Sequence, residues 1–272
     1  MKKNKIDTSI ERDPFNPTYS LKISDIYNTL GQVNTFQRKK YEPIIDYIVE
    51  YFQSNVKDIK LLDIGIGYGA FLKLCEERGL KNLYGMDPFP VSVNIAKKYT
   101  SAELRLGRIE DSSWPFEERC FDVITCLDVV EHLKNPEIFF INVKKYIAEN
   151  GIVVIRTPNG QLPYLMRRIP FIGIRDSNPT HINVRNPKYW KRLAENNGFE
   201  ILAEWRGEHL THIKFMPLIQ KVFESLKIDH RKIPILNMFE QAYIVILKIR
   251  ARCKEKSELM LASLQRFSDD GR

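Results

Sequence analysis

The chain has 272 residues, 43% of them apolar, and a formal charge of +8. That length suits one sizeable core with extensions and is short for two full catalytic domains. No run approaches the roughly 18 apolar residues that cross a bilayer, and the amino terminus is polar, so a cytoplasmic protein without a transmembrane segment is expected.

Cys75, Cys120, Cys126 and Cys253 form no C-x-x-C pair, which argues against a disulfide framework and a cysteine zinc site. The basic excess is split into separate clusters, among them Arg38-Lys39-Lys40, Lys144-Lys145 and Arg167-Arg168, each read as a solvated face. Nothing resembles an RNA-binding motif, so a nucleic-acid substrate is not expected; a phosphorylated metabolite or peripheral contact with an anionic membrane surface suits the charge.

Residues 1–37 are polar, Pro- and Asn-rich, and read as an extension. Tyr41, Ile44, Ile45, Ile48, Val49 and Phe52 then recur at helical spacing and predict a helix over Arg38–Phe52, a cap before the core. From Lys60 strands and helices alternate. Strands are predicted at Lys60–Ile64, Leu83–Met86, Glu103–Leu106, Phe121–Cys126 and Gly151–Arg156; helices at Phe71–Glu77, Val91–Tyr99 and Pro136–Ile147. This alternation implies βαβ units and a parallel sheet with both faces covered.

After Pro158 the pattern lapses into a Pro-, Arg- and aromatic-rich stretch, about 160–180, too long for an ordinary connection and read as a lid. A helix over Pro187–Asn196 stops at Asn197-Gly198 and leads to a strand, Phe199–Trp205. An insertion at about 207–238 precedes the apolar strand Ala242–Ile249, and residues 251–272 form a polar tail. The domain itself is taken to run over residues 38–250.

Leu61-Leu-Asp63-Ile-Gly65-Ile-Gly67-Tyr-Gly69 places three glycines between a buried strand and a helix, where open α/β sheets bind nucleotide-like ligands. The spacing by itself also fits a dinucleotide fingerprint, Gly65-x-Gly67-x-x-Ala70. Asp63 shifts the balance, because a carboxylate there suits a cationic cofactor with an amino group and a sulfonium. Asp87, closing the next strand, can accept hydrogen bonds from both hydroxyls of a ribose. The bland alternatives are that the glycines serve only a tight turn and that Asp87 caps the following helix.

With Cys120-Phe-Asp122-Val-Ile-Thr-Cys-Leu-Asp128-Val-Val-Glu131-His132 added, residues 38–157 resemble the class I S-adenosylmethionine (SAM)-dependent methyltransferases, with kinship to the small-molecule O-methyltransferases of ubiquinone biosynthesis. The resemblance implies an α/β fold: a Rossmann-like, seven-stranded, mainly parallel sheet flanked by helices, with the last strand inserted antiparallel. It also implies SAM as cofactor and S-adenosylhomocysteine (SAH) as product. Asp63, Gly65, Gly67 and Gly69 would wrap the methionine part, Asp87 and Pro88 the ribose, and Ile109, Glu110 and Leu127 the adenine. Arg108 stands where relatives often carry Asp, so the adenine contacts fall to Glu110, Asp111 or backbone.

Methyl transfer is an in-line displacement that needs alignment and, for a hydroxyl or amine acceptor, removal of a proton. His181 is the first candidate base, because it follows the lid; His132 is the second. Asp128, Glu131 and His132 resemble a cluster that holds a divalent metal in the ubiquinone-type enzymes, although such residues also serve as a hydrogen-bond network, and no metal is assigned. His209 and His212, three residues apart, are read as surface residues. The lid's aromatics with Arg167 and Arg168 suit an apolar or sugar-like acceptor bearing phosphate or carboxylate, whether a free small molecule or a glycan- or lipid-linked precursor. Oxygen is favoured over nitrogen as the methylated atom. An NAD(P)-dependent oxidoreductase and a non-catalytic methyltransferase-like binding subunit are the alternatives.

Overall fold

The computed structural model describes residues 33–160, 180–207, 225 and 242–250. The amino-terminal extension before residue 33, almost all of the expected lid with Arg167 and Arg168, the insertion with His209 and His212, and the tail lie outside the described residues.

Helix α1 (Thr35–Phe52) starts three residues earlier than the apolar spacing predicts. The reason is a capping box: Asn34 accepts from the Gln37 backbone N–H while the Gln37 side chain accepts from the Asn34 N–H. Ile44, Ile45 and Ile48 on its inner face are fully buried. Each contributes about 1.5–3 kcal/mol to docking the helix on the sheet.

Five parallel strands follow: β1 (Lys60–Ile64), β2 (Asn82–Asp87), β3 (Glu103–Leu106), β4 (Phe121–Leu127) and β5 (Ile147–Pro158). Between them lie α2 (Ala70–Glu77), α3 (Pro90–Ala96) and α4 (Glu137–Tyr146); α5 (Pro187–Asn196), β6 (Phe199–Gly207) and β7 (Ala242–Ile249) complete the described elements. The sheet order is β3-β2-β1-β4-β5-β7-β6, and β7 runs antiparallel to both neighbours. The seven-stranded, mainly parallel sheet and the antiparallel last strand are as the resemblance implies.

Several element boundaries differ from the sequence reading. Helix α3 stops at Ala96 instead of Tyr99, because Lys98 and Tyr99 donate to residues three back and tighten into a turn. Strand β5 starts at Ile147, which pairs with Phe121 across an irregularity in β4, so it runs straight on from α4. Strand β2 includes Asp87 itself.

Successive strand residues alternate between two cores. Leu61, Leu83, Leu104, Val123, Val154 and Ile246 pack under α1, α2 and α3. Leu62, Met86, Ile124, Val153 and Val245 pack on the other face with Phe139, Phe140 and Val143 of α4 and Trp190 of α5. Among the described residues no helix is long and apolar enough to cross a membrane. The chain reverses direction across the sheet between β1 and β4, so their carboxyl ends open a crevice where such sheets bind ligands.

Candidate functional site

The crevice begins at the turn after β1. Gly65 and Gly67 both have positive φ, +77° and +51°, which L side chains rarely adopt. Their surroundings differ. A Cβ on Gly65 would lie 2.3 Å from Val129 Cγ2, so the turn is pressed against the end of β4, whereas a Cβ on Gly67 would meet nothing within 4 Å. Gly67 therefore faces space and Gly65 makes the wall behind it. Gly69 is the N-cap residue of α2.

Asp87 ties this turn to β2. One carboxylate oxygen accepts from the Gly67 N–H at 3.0 Å and the other from the Phe89 N–H at 3.0 Å. The N-cap of α3 is Phe89, so Asp87 is not that helix's cap. Asp87 is 5% exposed and closes β2 at its carboxyl end, the position where the resemblance expects a ribose diol. Pro88 beside it is half-buried.

Asp63 points elsewhere. It is 2% exposed and accepts a 2.6 Å hydrogen bond from Thr125 Oγ1, its register partner on β4. Burial raises its pKa from 3.8 to about 7 against the help of Thr125, and Asp87 adds to the rise. A cation bound in the crevice would oppose that rise. Because the folded pKa lies above the unfolded one, the associated stability is present in full below about pH 4 and is lost as pH rises through 7, on the order of 4 kcal/mol. Asp63→Asn is expected to flatten this part of the slope of melting temperature between pH 5 and pH 8; equal slopes in variant and wild type would contradict the assignment.

The segment expected to lie along adenine is held from below. Ile109 is buried, Glu110 is exposed, and Asp111 accepts from the Arg108 N–H at 2.9 Å. Asn142 of α4, buried and not anticipated from sequence, donates to the carbonyls of Ile109 and Asp111, both at 2.9 Å, and Trp114 Nε1 donates to Ile109 O at 3.3 Å. Leu127, 7% exposed, closes β4. Asn142→Ala takes the donor from the Asp111 carbonyl and leaves the Ile109 carbonyl to Trp114 alone; it is expected to cost about 1–3 kcal/mol in a denaturant melt, with weaker cofactor binding, and an unchanged melt would show that the segment does not depend on it.

Past Leu127 the chain turns at Asp128, φ +60°, into a single 3-10 turn, Val130–His132. Asp128 bonds Lys40 Nζ at 2.5 Å and also Arg156 Nη1. Burial disfavours its charge, but Arg156 and Lys40 hold its carboxyl below the ordinary range. Lys40 is thus no solvated surface charge, as the basic-cluster reading had it: its side chain is 17% exposed and reaches into the site.

The grouping expected from sequence, Asp128 with Glu131 and His132, is corrected in one member. Asp128 is engaged by two cations, and Glu131 and His132 meet His181 instead, with one potential ligand atom from each lying within 4.8 Å of the others. The His132 and His181 rings are 4.9 Å apart. Thr180 orients His132: its carbonyl lies 3.1 Å from Nδ1 and its hydroxyl 2.9 Å away. A proton on Nδ1 given to that carbonyl leaves Nε2 as the basic nitrogen. Glu131 is fully buried; one oxygen accepts from Thr157 Oγ1 at 3.1 Å and the other, Oε1, has no hydrogen-bond partner. Burial and the nearby Asp128 push its pKa to about 8. Asn183 fastens the return segment, donating its backbone N–H to Glu131 O at 2.8 Å and its side chain to Leu133 O.

A separate recess of about 510 Å³, lined by Lys60, Tyr84, Arg105, Phe116 and Phe121 among others, lies toward the amino ends of the strands. Open sheets bind their ligands at the carboxyl ends, so the crevice, not this recess, is the candidate site.

Comparison with known proteins bears on the family and the fold. Residues 36–204, more than half of the chain, match the family model described as a methyltransferase domain. The ubiquinone biosynthesis O-methyltransferase of Rickettsia prowazekii (strain Madrid E) is 32% identical over 120 residues, covering 42% of this chain and 47% of that protein. The mitochondrial enzyme of the same description from Schizosaccharomyces pombe is 29% identical over 123 residues, 42% and 43% of the two chains. The match spans about half the length of these relatives. A SAM-dependent methyltransferase from Aquifex aeolicus shares the fold, with TM-score 0.54 and 13% identity over 83% of this chain and 97% of that one. The nicotinamide-dependent alternative finds no support in these matches, and the chain belongs to the methyltransferase-domain family.

Proposed function

We propose that this chain methylates an oxygen of a small-molecule acceptor, with the Glu131–His132–His181 cluster receiving the acceptor hydroxyl. The observation that carries this reading is the meeting of a buried carboxyl and two imidazoles at the carboxyl end of β4, beside the glycine turn. The partial likeness to ubiquinone biosynthesis O-methyltransferases supports oxygen as the accepting atom.

When bound, SAM supplies an electrophilic methyl group: the acceptor oxygen forms the new C–O bond as the S–CH3 bond breaks, and the electron pair leaves on sulfur to give SAH. The protein's own residues do the rest. Gly65, Gly67 and Asp87 set the donor's place, and Ile109, Leu127 and Asn142 shape the adenine end. His181 takes the hydroxyl proton, with His132 beside it as second base, and passes it to water. Such proton transfer contributes about 10²–10⁴-fold.

A second reading follows from one observation, the buried and unpartnered Oε1 of Glu131. One carboxylate and two imidazoles are a fitting donor set for a divalent ion, which would supply Lewis acidity toward the hydroxyl. Glu131, His132 and His181 would hold it.

The test is methyl transfer from labelled SAM to a panel of catechols, phenols and sugar-type alcohols, in buffer, with chelator, and with Mg²⁺ or Zn²⁺ restored. Transfer to a hydroxyl, reduced about 100-fold in His181→Ala, supports the reading; dependence on the restored ion selects the metal form. Transfer only to amines or thiols would overturn oxygen as the acceptor.

A further inference from the structure

Lys40 is unusual among the lysines of α1: it lies between Lys39, which is exposed, and Tyr41, yet its own ammonium is drawn into the sheet's carboxyl edge. There it meets Asp128 Oδ2 at 2.5 Å, while Arg156 of β5, with a side chain 6% exposed, takes Oδ1. The Asp128 backbone N–H also donates to Arg156 O at 2.8 Å. One carboxylate is thus gripped by two cations from two different elements, and a swing toward either breaks its ion pair with the other.

What Asp128 carries gives the grip its meaning. It has φ +60° and directs the chain from Leu127 into the turn that holds Glu131 and His132, while Val129 next to it forms the wall behind Gly65. Helix α1 is itself anchored independently, by Ile44, Ile45 and Ile48 in the core and by Arg38 to Glu77 at 2.8 Å. A fixed helix therefore holds a corner whose position sets both the glycine wall and the histidine cluster.

We propose that Lys40 is a positioning residue for the methyl-donor site, acting from α1 through Asp128 on the corner that carries Val129, Glu131 and His132. This rests on the methyl-donor reading above. It makes α1, which precedes the glycine motif, a working part of the site and not only a cover for the core.

The test is SAH titration by calorimetry of wild type, Lys40→Met, Lys40→Arg, Asp128→Asn and the double variant Lys40→Met/Asp128→Asn, with ligand-free melting as the control for folding. Lys40→Met should raise the SAH Kd about tenfold. Lys40→Arg should restore it, and within the Asp128→Asn background Lys40→Met should add nothing, because the effect runs through the pair. Equal SAH affinity of Lys40→Met and wild type would overturn the proposal. So would a Lys40→Met loss that persists undiminished in the Asp128→Asn background, since that would put the ammonium on the ligand itself. Should Lys40→Met not fold, Lys40→Gln takes its place in the same cycle. Failure of wild type to bind SAH would remove the methyl-donor reading first, and this proposal with it.

Discussion

Gly65→Ala is expected to abolish SAH binding and to lower the melting temperature of the ligand-free protein. Two costs combine at this position. The added Cβ would sit 2.3 Å from Val129 Cγ2, and φ is +77°. The left-handed backbone costs about 1–2 kcal/mol for a residue with a side chain, and forcing Val129 aside adds about 1–3 kcal/mol. Val129 cannot retreat freely, because Asp128 before it is tied to Arg156 and Val130 after it is fully buried. A fall of several degrees in melting temperature follows, at about 2–4 °C per kcal/mol. Gly67→Ala makes a useful contrast. Its Cβ meets nothing, so stability should suffer only from φ +51°, while the new methyl enters the space left for the donor. The pair separates the wall from the opening: Gly65→Ala should lose stability and binding, Gly67→Ala chiefly binding. Normal SAH affinity in Gly67→Ala would show that the donor does not lie over this turn.

Asp128→Ala is expected to be more damaging to folding than most single truncations, by roughly 3–5 kcal/mol in a denaturant melt. Its removal takes from Lys40 and Arg156 the carboxylate they share, and the φ of +60° then falls on a residue that tolerates it poorly. The loss should be smaller in Lys40→Met/Asp128→Ala than in Asp128→Ala, since the Lys40 ammonium that lost its carboxylate is gone. Equal destabilisation in single and double variants would show that the ion triad does not govern this corner.

Much of this arrangement was legible in the chain. An apolar run closed by three glycines, then a strand ending in Asp87, specifies a ligand-binding turn because few other structures require glycine and carboxylate in that order. The apolar β-branched run at Ala242–Ile249 announced a buried strand, and the structure makes it the antiparallel one. Other partners depend on contacts that only the sheet order supplies. Thr125 reaches Asp63 because β1 and β4 are neighbours in register, and Asn142 of α4 reaches the carbonyls of Ile109 and Asp111 across the fold. The sequence groups His132 with Glu131, but His181 joins them only when the chain returns at Thr180 and Asn183. Lys40 was overlooked for a physical reason: a basic run ordinarily means solvent. The signal was nonetheless present, since Lys40, Ile44 and Ile48 are spaced by four and share the buried face of α1.

SAM dependence is tested most directly by thermal melting with SAH, SAM, NAD and NADP in turn, on wild type and Asp87→Ala. A ligand that binds only the folded protein adds about 2.7 kcal/mol at 100 times its dissociation constant. The expected result is a rise in melting temperature with SAH and SAM alone, lost in Asp87→Ala; a rise with a nicotinamide cofactor instead, or none with SAH in the wild type, would contradict it.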